Sequence, residues 1–386
     1  MSERTRVLVV DDSALMRKLI PAILARDPSI EVVGTAMDGA FALKKIEELH
    51  PDVVTLDLEM PRMDGMETLR LIMRRAPMPV VLCSTHSKEG AYATLKALAL
   101  GAIDFVAKPQ DAAAGHLESI AALLIEKIKV AKRAAGRRLP PAVVSDDPPR
   151  GKKPARAPLP PNRILAIGIS TGGPNALQYV LSQIPADFPG SFVVVQHMPE
   201  GFTEMFARRL DECCALEVHE ARSGDLLVAG RVLICPGNRH IMVRRMPRGD
   251  MAVLSEGPPV NGHRPSADVL FHSVAQQFGP MAVGLIMTGM GEDGAEGLGA
   301  IKASGGITIA QSEDTCVVSG MPRAAISKGY VSKVVSLDGI APHLVQAFGG
   351  ERGGSEKSER HEKIEKTDKH EKNEKTERTP VSSHRT

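Results

Sequence analysis

Short apolar runs recur along the first part of the chain, and stretches with helical periodicity separate them. The runs cover residues 6–10, 31–36, 53–56, 79–83 and 103–106. This repeated alternation of strand and helix predicts a doubly wound, parallel α/β domain. In such sheets, ligands bind at the carboxyl ends of the strands. The pattern therefore predicts a fold and also the edge of the sheet that carries a site.

Polar side chains follow these runs at that edge. Asp11 and Asp12 follow the first run, Asp57 the third, Ser84 the fourth and Lys108 the fifth. Clustered carboxylates repel one another unless they bind a cation, and oxygen ligands with an open position suit Mg²⁺. A carboxylate beside the metal can form an aspartyl phosphate, while the lysine and the hydroxyl hold phosphoryl oxygens. Unrelated polar residues at loop starts are the alternative, and their joint placement disfavours it.

A glycine-rich segment opens the second half of the chain. Residues 164–174 read ILAIGISTGGP, an apolar strand that runs into a G-x-S-x-G pattern centred on Ser170. That pattern is typical of a nucleophile elbow, a sharp strand-to-helix turn that exposes a serine hydroxyl. Amides at the start of the following helix can stabilise an oxyanion. A phosphate-binding Walker A loop needs a lysine after its last glycine, whereas Pro174 follows here.

Further apolar runs lead into His197 and into the loop TGMGEDG, which contains Glu292 and Asp293. Strand ends thus deliver a serine, a histidine and an acid, the residue types of a catalytic triad. Ser170 would attack a carbonyl, His197 would transfer the proton, and either acid could orient the imidazole. The chain order Ser, His, acid differs from that of α/β-hydrolases. We therefore expect a different parallel α/β fold.

Composition excludes several classes of protein. The chain has 386 residues, which predicts two to three domains, and its net charge is only +2. That charge gives no indication of nucleic-acid binding or membrane insertion. We find no signal-peptide pattern and no apolar stretch long enough to span a bilayer. The five cysteines are scattered, so we expect reduced, mostly buried thiols in a cytoplasmic protein.

The sequence divides into four parts. Residues 1–132 form the first domain and residues 163–350 the second. Between them, residues 133–162 are rich in proline and basic residues, which predicts a semi-extended linker; a nucleic-acid patch is disfavoured because aromatic residues are missing. Residues 351–386 repeat short Glu/Lys/His/Thr units and are predicted to be a disordered charged tail.

The first domain resembles the receiver domains of bacterial response regulators, which have a flavodoxin-like fold. The segments VDDSALMR and DLEMPRMDG and the pair KP at 108–109 carry this resemblance. It implies phosphorylation of Asp57 by a histidine kinase, with Mg²⁺ as cofactor. It also implies roles for other residues around that aspartate: Asp11 and Asp12 with Asp57 as metal ligands, Ser84 and Lys108 as phosphoryl contacts, and Phe105 as the aromatic switch.

The second domain resembles the catalytic domain of chemotaxis protein-glutamate methylesterases, the CheB family. The segments GISTGG, QHMPEGFT, CPGNRH, HRPSADVLFHS, TGMGEDG and CVVSGMPRAA carry the resemblance. It covers about residues 4–345, with receiver, linker and esterase domain in the order of the family. It implies hydrolysis of glutamyl methyl esters on cytoplasmic helices of chemoreceptors, with release of methanol. Some members also deamidate receptor glutamines. The phosphodonor would be a kinase of the chemotaxis type.

The same resemblance assigns residues of the second domain, with no cofactor for the ester reaction. It gives Ser170 as nucleophile, His197 as base and Asp293, rather than Glu292, as the acid. Thr171 and Met290 would lie near the oxyanion, and His263 and Arg264 would line the substrate groove. Departures from the family pattern lie outside the triad: Cys235, Asn238 and Thr315 stand where alanine, aspartate and serine are usual.

The leading hypothesis is a methylesterase whose receiver domain partly covers the cleft around Ser170 until phosphorylation loosens the contact. A phosphorylation-dependent binding module with a vestigial triad is the alternative from another class. A transcriptional regulator is a third, but the second domain shows no helix-turn-helix pattern.

Overall fold

A computed structural model describes residues 4–85, 87–108, 114–135 and 159–349. Most of the predicted linker and the whole predicted tail, residues 351–386, lie outside the described residues. The chain divides into a large compact unit, Met1–Ala341, and a second unit that begins at Pro342. We refer to residues 4–135 as the N-terminal domain and to residues 159–341 as the C-terminal domain.

The N-terminal domain is the doubly wound parallel sheet that the apolar runs predict. Its strands are β1 (Thr5–Val10), β2 (Ile30–Ala36), β3 (Val53–Asp57), β4 (Val80–Ser84) and β5 (Asp104–Ala107). They lie in the order β2-β1-β3-β4-β5, and every pairing is parallel. Because all the strands point the same way, their carboxyl ends share one edge, as predicted.

Helices connect these strands, and several begin at a side chain that caps the first turn. They are α1 (Met16–Leu24), α2 (Gly39–Leu49), α3 (Gly65–Arg75), α4 (Lys88–Ala99) and α5 (Ala114–Arg133). Asp38, Asp64 and Ser87 each accept a backbone N–H of the first turn, in α2, α3 and α4 respectively. Such caps satisfy donors that a helix start otherwise leaves open.

The C-terminal domain is built on a second parallel sheet. Its first strands are β6 (Ile164–Ile169), β7 (Ser191–Gln196), β8 (Glu217–Glu220) and β9 (Arg231–Ile234). A separate antiparallel pair follows, β10 (His240–Arg244) and β11 (Met251–Ser255). The sheet is completed by β12 (Ala282–Ile286), β13 (Ile307–Gln311) and β14 (Lys333–Val335), in the order β14-β13-β12-β6-β7-β9-β8. The sequence predicts the parallel sheet but not the β10–β11 hairpin.

Helices flank this sheet: α6 (Gly173–Leu181), α7 (Phe202–Cys213), α8 (Ala267–Phe278), α9 (Ala295–Ala303) and α10 (Gly320–Ser327). A further helix, α11 (Leu337–Gly349), begins in the large unit and continues into the second. The central strand β6 is buried along its whole length, as expected for a parallel sheet covered on both faces. The five cysteines, all among the described residues, form no disulfide, and all but Cys213 are buried. No helix among the described residues has the length and apolar character of a membrane span.

Candidate active site

The turn after β6 has the shape that the glycine pattern predicts. Ser170 directly follows the strand, and α6 begins three residues later. Gly172 has a φ of +75°, and a Cβ there would lie 2.5 Å from Cγ2 of Val317. A Cβ on Gly173 would lie 2.2 Å from Oε1 of Gln196. Side chains at either position would collide with their neighbours, so glycine is required to bring Ser170 to the edge of the sheet.

The neighbouring strand brings His197 to the same edge. In the β6–β7 pairing, Ile169 lies opposite Gln196, so Ser170 and His197 follow paired residues on adjacent strands. The His197 N–H donates to the Ile169 carbonyl at 3.1 Å, and the Gln196 side-chain amide donates to the Ser170 carbonyl at 3.0 Å. Backbone pairing therefore fixes the predicted nucleophile beside the predicted base.

The structure distinguishes between the two candidate acids, Glu292 and Asp293, by their contacts. His197 Nε2 lies 2.8 Å from Oδ2 of Asp293, and the aspartate side chain is fully buried. Glu292 is exposed and pairs with Lys328 at 3.3 Å. Asp293 therefore is the acid that contacts the histidine, and Glu292 belongs to a surface ion pair.

Donors converge on the Asp293 carboxylate from the start of α8. The Ser266 hydroxyl donates to Oδ1 at 2.6 Å, and the Ala267 N–H donates to Oδ2 at 2.6 Å. Burial by itself would raise the pKa of this carboxyl, but the hydrogen bonds from His197, Ser266 and Ala267 outweigh it and lower the pKa to about 2. The group is therefore an ionised, fixed partner for the imidazole.

The other ring nitrogen of His197 is the candidate base atom. Nδ1 is buried and has no hydrogen-bond partner among the described residues. Because the ionised Asp293 can only accept, Nε2 must carry the proton that joins the two residues. This tautomer leaves the lone pair of a neutral imidazole on Nδ1, ready to accept a proton.

The loop after β12 closes on the serine from the opposite side. The Ser170 N–H donates to the Thr288 carbonyl at 3.0 Å. A Cβ on Gly289 would lie 2.9 Å from Cβ of Ser170 and 2.2 Å from Sδ of Met321, so the loop backbone packs directly against the serine. Met290 is the next residue and is half-buried. That Met290 lies near an oxyanion stays a prediction.

Thr171 is buried, but its hydroxyl is engaged elsewhere. Oγ1 donates to Oδ2 of Asp104 in the N-terminal domain at 2.7 Å. The Thr171 carbonyl accepts from the Thr288 hydroxyl at 2.9 Å. Because the Thr171 hydroxyl is engaged by Asp104, only the backbone N–H of Thr171 is left to donate to an oxyanion in this arrangement. The predicted role of Thr171 depends on that N–H.

A tight turn that sequence reasoning missed lies over the His–Asp pair. Val260 and His263 exchange both backbone hydrogen bonds, at 3.0 and 2.9 Å. The intervening Asn261 and Gly262 have φ values of +54° and +76°, as in a type I′ turn. Asn261 Nδ2 donates to Oδ2 of Asp268 at 2.6 Å. The Asn-Gly pair in the sequence is the signal that could have predicted this turn.

The structure gives different roles to the neighbours His263 and Arg264. The His263 ring stacks on the His197 ring, with 4.0 Å between centroids and 6° between planes. Arg264 donates to Oδ1 of Asn238 from Nη2 at 2.6 Å, and from Nη1 to the carbonyls of Glu256 and Gly257. These bonds tie the Arg264 side chain to the loops at 238 and 256–257. That both residues line a substrate groove stays a prediction.

The predicted phosphorylation site is assembled at the edge of the N-terminal sheet. Ligand oxygens of Asp11, Asp12 and Asp57 lie within 4.8 Å of one another. Lys108 Nζ lies 2.9 Å from Oδ2 of Asp11 and 2.7 Å from Oδ2 of Asp57. Burial raises the pKa of Asp57, and the ion pair with Lys108 partly offsets it. An all-carboxylate donor set of this size fits Mg²⁺.

Ser84 lies at the same edge with its hydroxyl turned towards α4. It is buried, accepts from Oγ1 of Thr94 at 2.5 Å and lies 3.3 Å from the Gly90 carbonyl. Because a phosphoryl oxygen only accepts, the predicted contact requires the Ser84 hydroxyl to give up its donation to the Gly90 carbonyl. Phe105 is buried, and its ring stacks on Phe202 of the C-terminal domain with 4.6 Å between centroids.

Other contacts join the N-terminal domain to the elements next to Ser170. Helix α4 packs against α6 and α7. Asn175 Nδ2, in the first turn of α6, donates to the Leu98 carbonyl at 2.6 Å. Lys88 at the start of α4 lies 3.3 Å from Glu204 of α7. Together with the bond between Asp104 and Thr171, these contacts place the N-terminal domain against the helix that begins at the elbow.

Comparison with known proteins agrees with this architecture. The CheB methylesterase family matches residues 165–344, and the response regulator receiver domain family matches residues 7–118. A protein-glutamate methylesterase/protein-glutamine glutaminase 2 of Koribacter versatilis is 64% identical over 345 residues, which cover 88% of this chain and 95% of the relative. A protein-glutamate methylesterase/protein-glutamine glutaminase of Symbiobacterium thermophilum is 48% identical over 363 residues, covering 90% and 99%.

Among solved structures, the catalytic domain of Thermotoga maritima CheB methylesterase is 37% identical; the match covers 48% of this chain and 98% of that one, with a TM-score of 0.47. Both family matches fall on the domains that the structure forms, in the same order. The full-length relatives match across both domains as well. The chain therefore belongs to the CheB methylesterase family, with a response regulator receiver domain ahead of its esterase domain.

Proposed function

We propose that this protein is a serine esterase that hydrolyses glutamyl methyl esters on chemoreceptors and releases methanol. We also propose that it deamidates receptor glutamines, because an amide presents the same carbonyl. The observation that carries the proposal is the buried Asp293–His197 pair, whose histidine follows a strand paired with the strand that ends before Ser170. The names of the relatives support the choice of substrate. This substrate would be met in the cytoplasm.

The geometry supports a two-step acyl transfer. Ser170 Oγ attacks the ester carbonyl while Nδ1 of His197 takes its proton, and Asp293 stabilises the resulting imidazolium. The imidazolium then donates that proton to the leaving methoxide, so that methanol departs and an acyl-enzyme remains. Water, activated at the same nitrogen, hydrolyses the acyl-enzyme to a glutamate carboxyl and frees the serine. Amides at the start of α6 and beside Met290 are the candidate donors to the oxyanion.

The experiment is methanol release from the cytoplasmic fragment of a chemoreceptor carrying labelled methyl esters. A parallel fragment with glutamine at the same sites reports ammonia release. We expect methanol from the first and ammonia from the second. Release of neither product, from folded protein supplied with a phosphodonor, would contradict the proposal and favour the binding module.

We propose further that the receiver domain restrains this site until Asp57 is phosphorylated by a histidine kinase of the chemotaxis type. Asp11, Asp12 and Asp57 would hold Mg²⁺, which neutralises the charge of an incoming phosphoryl group. Lys108 and Ser84 would hold the phosphoryl oxygens. To donate to such an oxygen, the Ser84 hydroxyl must give up its bond to the Gly90 carbonyl of α4, and α4 is the helix that packs against α6 and α7. Phosphorylation would thus favour an arrangement in which this packing is loosened.

A single hydrogen bond tests the restraint. Asn175→Ala removes the donor to the Leu98 carbonyl, a bond between the domains. A hydrogen bond contributes roughly 0.5–1.5 kcal/mol. We therefore expect the variant to raise the unphosphorylated rate roughly two- to tenfold and to leave the phosphorylated rate unchanged. Methanol release with and without phosphodonor measures both rates, and equal changes in the two states would contradict a role in gating.

A further inference from the structure

We propose that His263 is a positioning residue that holds the plane of the catalytic imidazole by lying flat against it. The proposal rests on the proposed function, because it concerns the same base. Its carrying observation is the stack of the His263 and His197 rings, 4.0 Å between centroids and 6° between planes. This distance and angle correspond to direct face-to-face contact between rings.

The hydrogen bond to Asp293 leaves the imidazole a degree of freedom. It anchors one ring nitrogen, Nε2, at 2.8 Å. The ring can still tilt about that anchor, and a tilt displaces the other ring nitrogen, Nδ1, which no partner in the described structure restrains. A flat neighbour that covers one face of the ring opposes this tilt. Proton transfer is sensitive to such displacements, since a shift of about 1 Å can cost roughly 10²-fold in rate.

The turn that carries His263 is itself anchored on both sides. On the amino side, Asn261 Nδ2 donates to Asp268 at 2.6 Å and lies 3.5 Å from Oδ1 of Asp293. On the carboxyl side, Arg264 is bonded to Asn238 through two nitrogens, at 3.0 and 2.6 Å. The turn therefore contacts the same acid that orients His197, so Asp293 helps to fix the positions of both rings relative to each other.

The His263 ring is also suited to a cationic neighbour. Burial lowers its pKa to about 4, with a further contribution from the charge of nearby His197 and an opposing one from Asp293. A neutral ring does not repel the imidazolium that forms on His197 during the reaction. A permanently charged side chain at this place would oppose that cation.

The test compares substitutions at position 263 in the full-length protein. His263→Phe keeps a flat ring, whereas His263→Leu fills space without one and His263→Ala removes the side chain. We expect kcat for methanol release to fall roughly 10- to 100-fold in His263→Ala and His263→Leu, with KM little changed, and to be largely restored in His263→Phe. The matched control is His272→Ala, an exposed histidine on α8, which should have no effect.

A second readout is independent of turnover. Nitrogen-15 NMR of histidine-labelled protein, with His197 assigned by its loss in His197→Gln, reports the ring tautomer and its exchange. We expect one Nε2–H tautomer in the wild type and in His263→Phe, and exchange broadening in His263→Ala and His263→Leu. The proposal would be overturned if His263→Phe were impaired as much as His263→Leu, if the His197 signal were unchanged in His263→Leu, or if KM alone changed. Failure of the proposed function would instead remove turnover from the wild type and leave the NMR comparison intact.

Discussion

Ser170→Ala is expected to abolish methanol release while leaving the fold intact. The substitution removes only the hydroxyl group, and the glycines that shape the elbow are unchanged. Loss of the nucleophile in a serine hydrolase lowers kcat by roughly 10⁴- to 10⁶-fold, because only oxyanion stabilisation and binding remain. The measurement is the initial rate of methanol release from a methylated chemoreceptor fragment, together with a thermal unfolding curve.

Ser182→Ala is the matched control, since this serine follows α6 at its other end and its hydroxyl donates only to the Tyr179 carbonyl among the described contacts. It should retain the wild-type rate. If folded Ser170→Ala turned over at more than about a tenth of the wild-type rate, a residual far above what a serine hydrolase keeps without its nucleophile, the assignment of the nucleophile would be wrong.

Asp293→Asn is expected to lower kcat by roughly 10⁴-fold, as loss of the correct imidazole tautomer does in other triads. In the described structure, the groups that contact this carboxylate are all donors: His197, Ser266, the Ala267 and Asp268 N–H groups and Asn261 Nδ2. An amide offers them one oxygen, so its NH₂ group must face a former donor. If it faces His197, the histidine must accept there and carry its proton on Nδ1, where it can no longer act as a base.

Glu292→Gln is the neighbouring control, because that side chain is exposed and pairs with Lys328. It should keep the wild-type rate. Similar losses in both variants would contradict the choice of Asp293.

The same substitution has a consequence for stability in acid. The folded-state pKa of Asp293, about 2, lies below the ordinary value of 3.8. The ionised carboxylate therefore stabilises the fold above pH 3.8, and this contribution is lost as the pH falls through 2. We expect the difference in unfolding free energy between wild type and Asp293→Asn to shrink between these pH values. Denaturant unfolding at a series of pH values measures it.

Much of this site could be predicted because apolar runs fix where parallel strands end. The runs before Ser170 and His197 correspond to β6 and β7. Once both strands lie in one parallel sheet, their carboxyl ends share an edge, and the side chains that follow them meet. The same reasoning brought Asp11, Asp57 and Lys108 together in the first domain.

Local patterns could not decide contacts that depend on packing between distant segments. Glu292 and Asp293 are adjacent and chemically alike, and only the fold turns one to the surface and the other towards α8. The Thr171 hydroxyl is engaged because Asp104 of the other domain lies against it. The partners of Ser84 and Arg264 likewise come from a helix and a loop whose positions no short sequence pattern specifies.

The turn at 260–263 is a different case. Its Asn-Gly pair is a strong hairpin signal, but the flanking residues show no alternating apolar pattern that would make it stand out. The turn matters because of what it touches, namely the ring of His197 and the carboxylate of Asp268. Those contacts arise only after the β10–β11 hairpin and α8 have packed.

The most direct test of the whole account is methanol release measured before and after addition of a small phosphodonor with Mg²⁺. A coupling free energy of typical size between phosphorylation and the esterase site predicts that the rate of methanol release rises roughly 5- to 150-fold in the wild type. Asp57→Asn should stay at the unphosphorylated rate, with Asp64→Asn, a capping residue of α3, as the control that still responds. A wild-type rate that does not change, or an equal rise in Asp57→Asn, would contradict a receiver domain that controls Ser170 through Asp57.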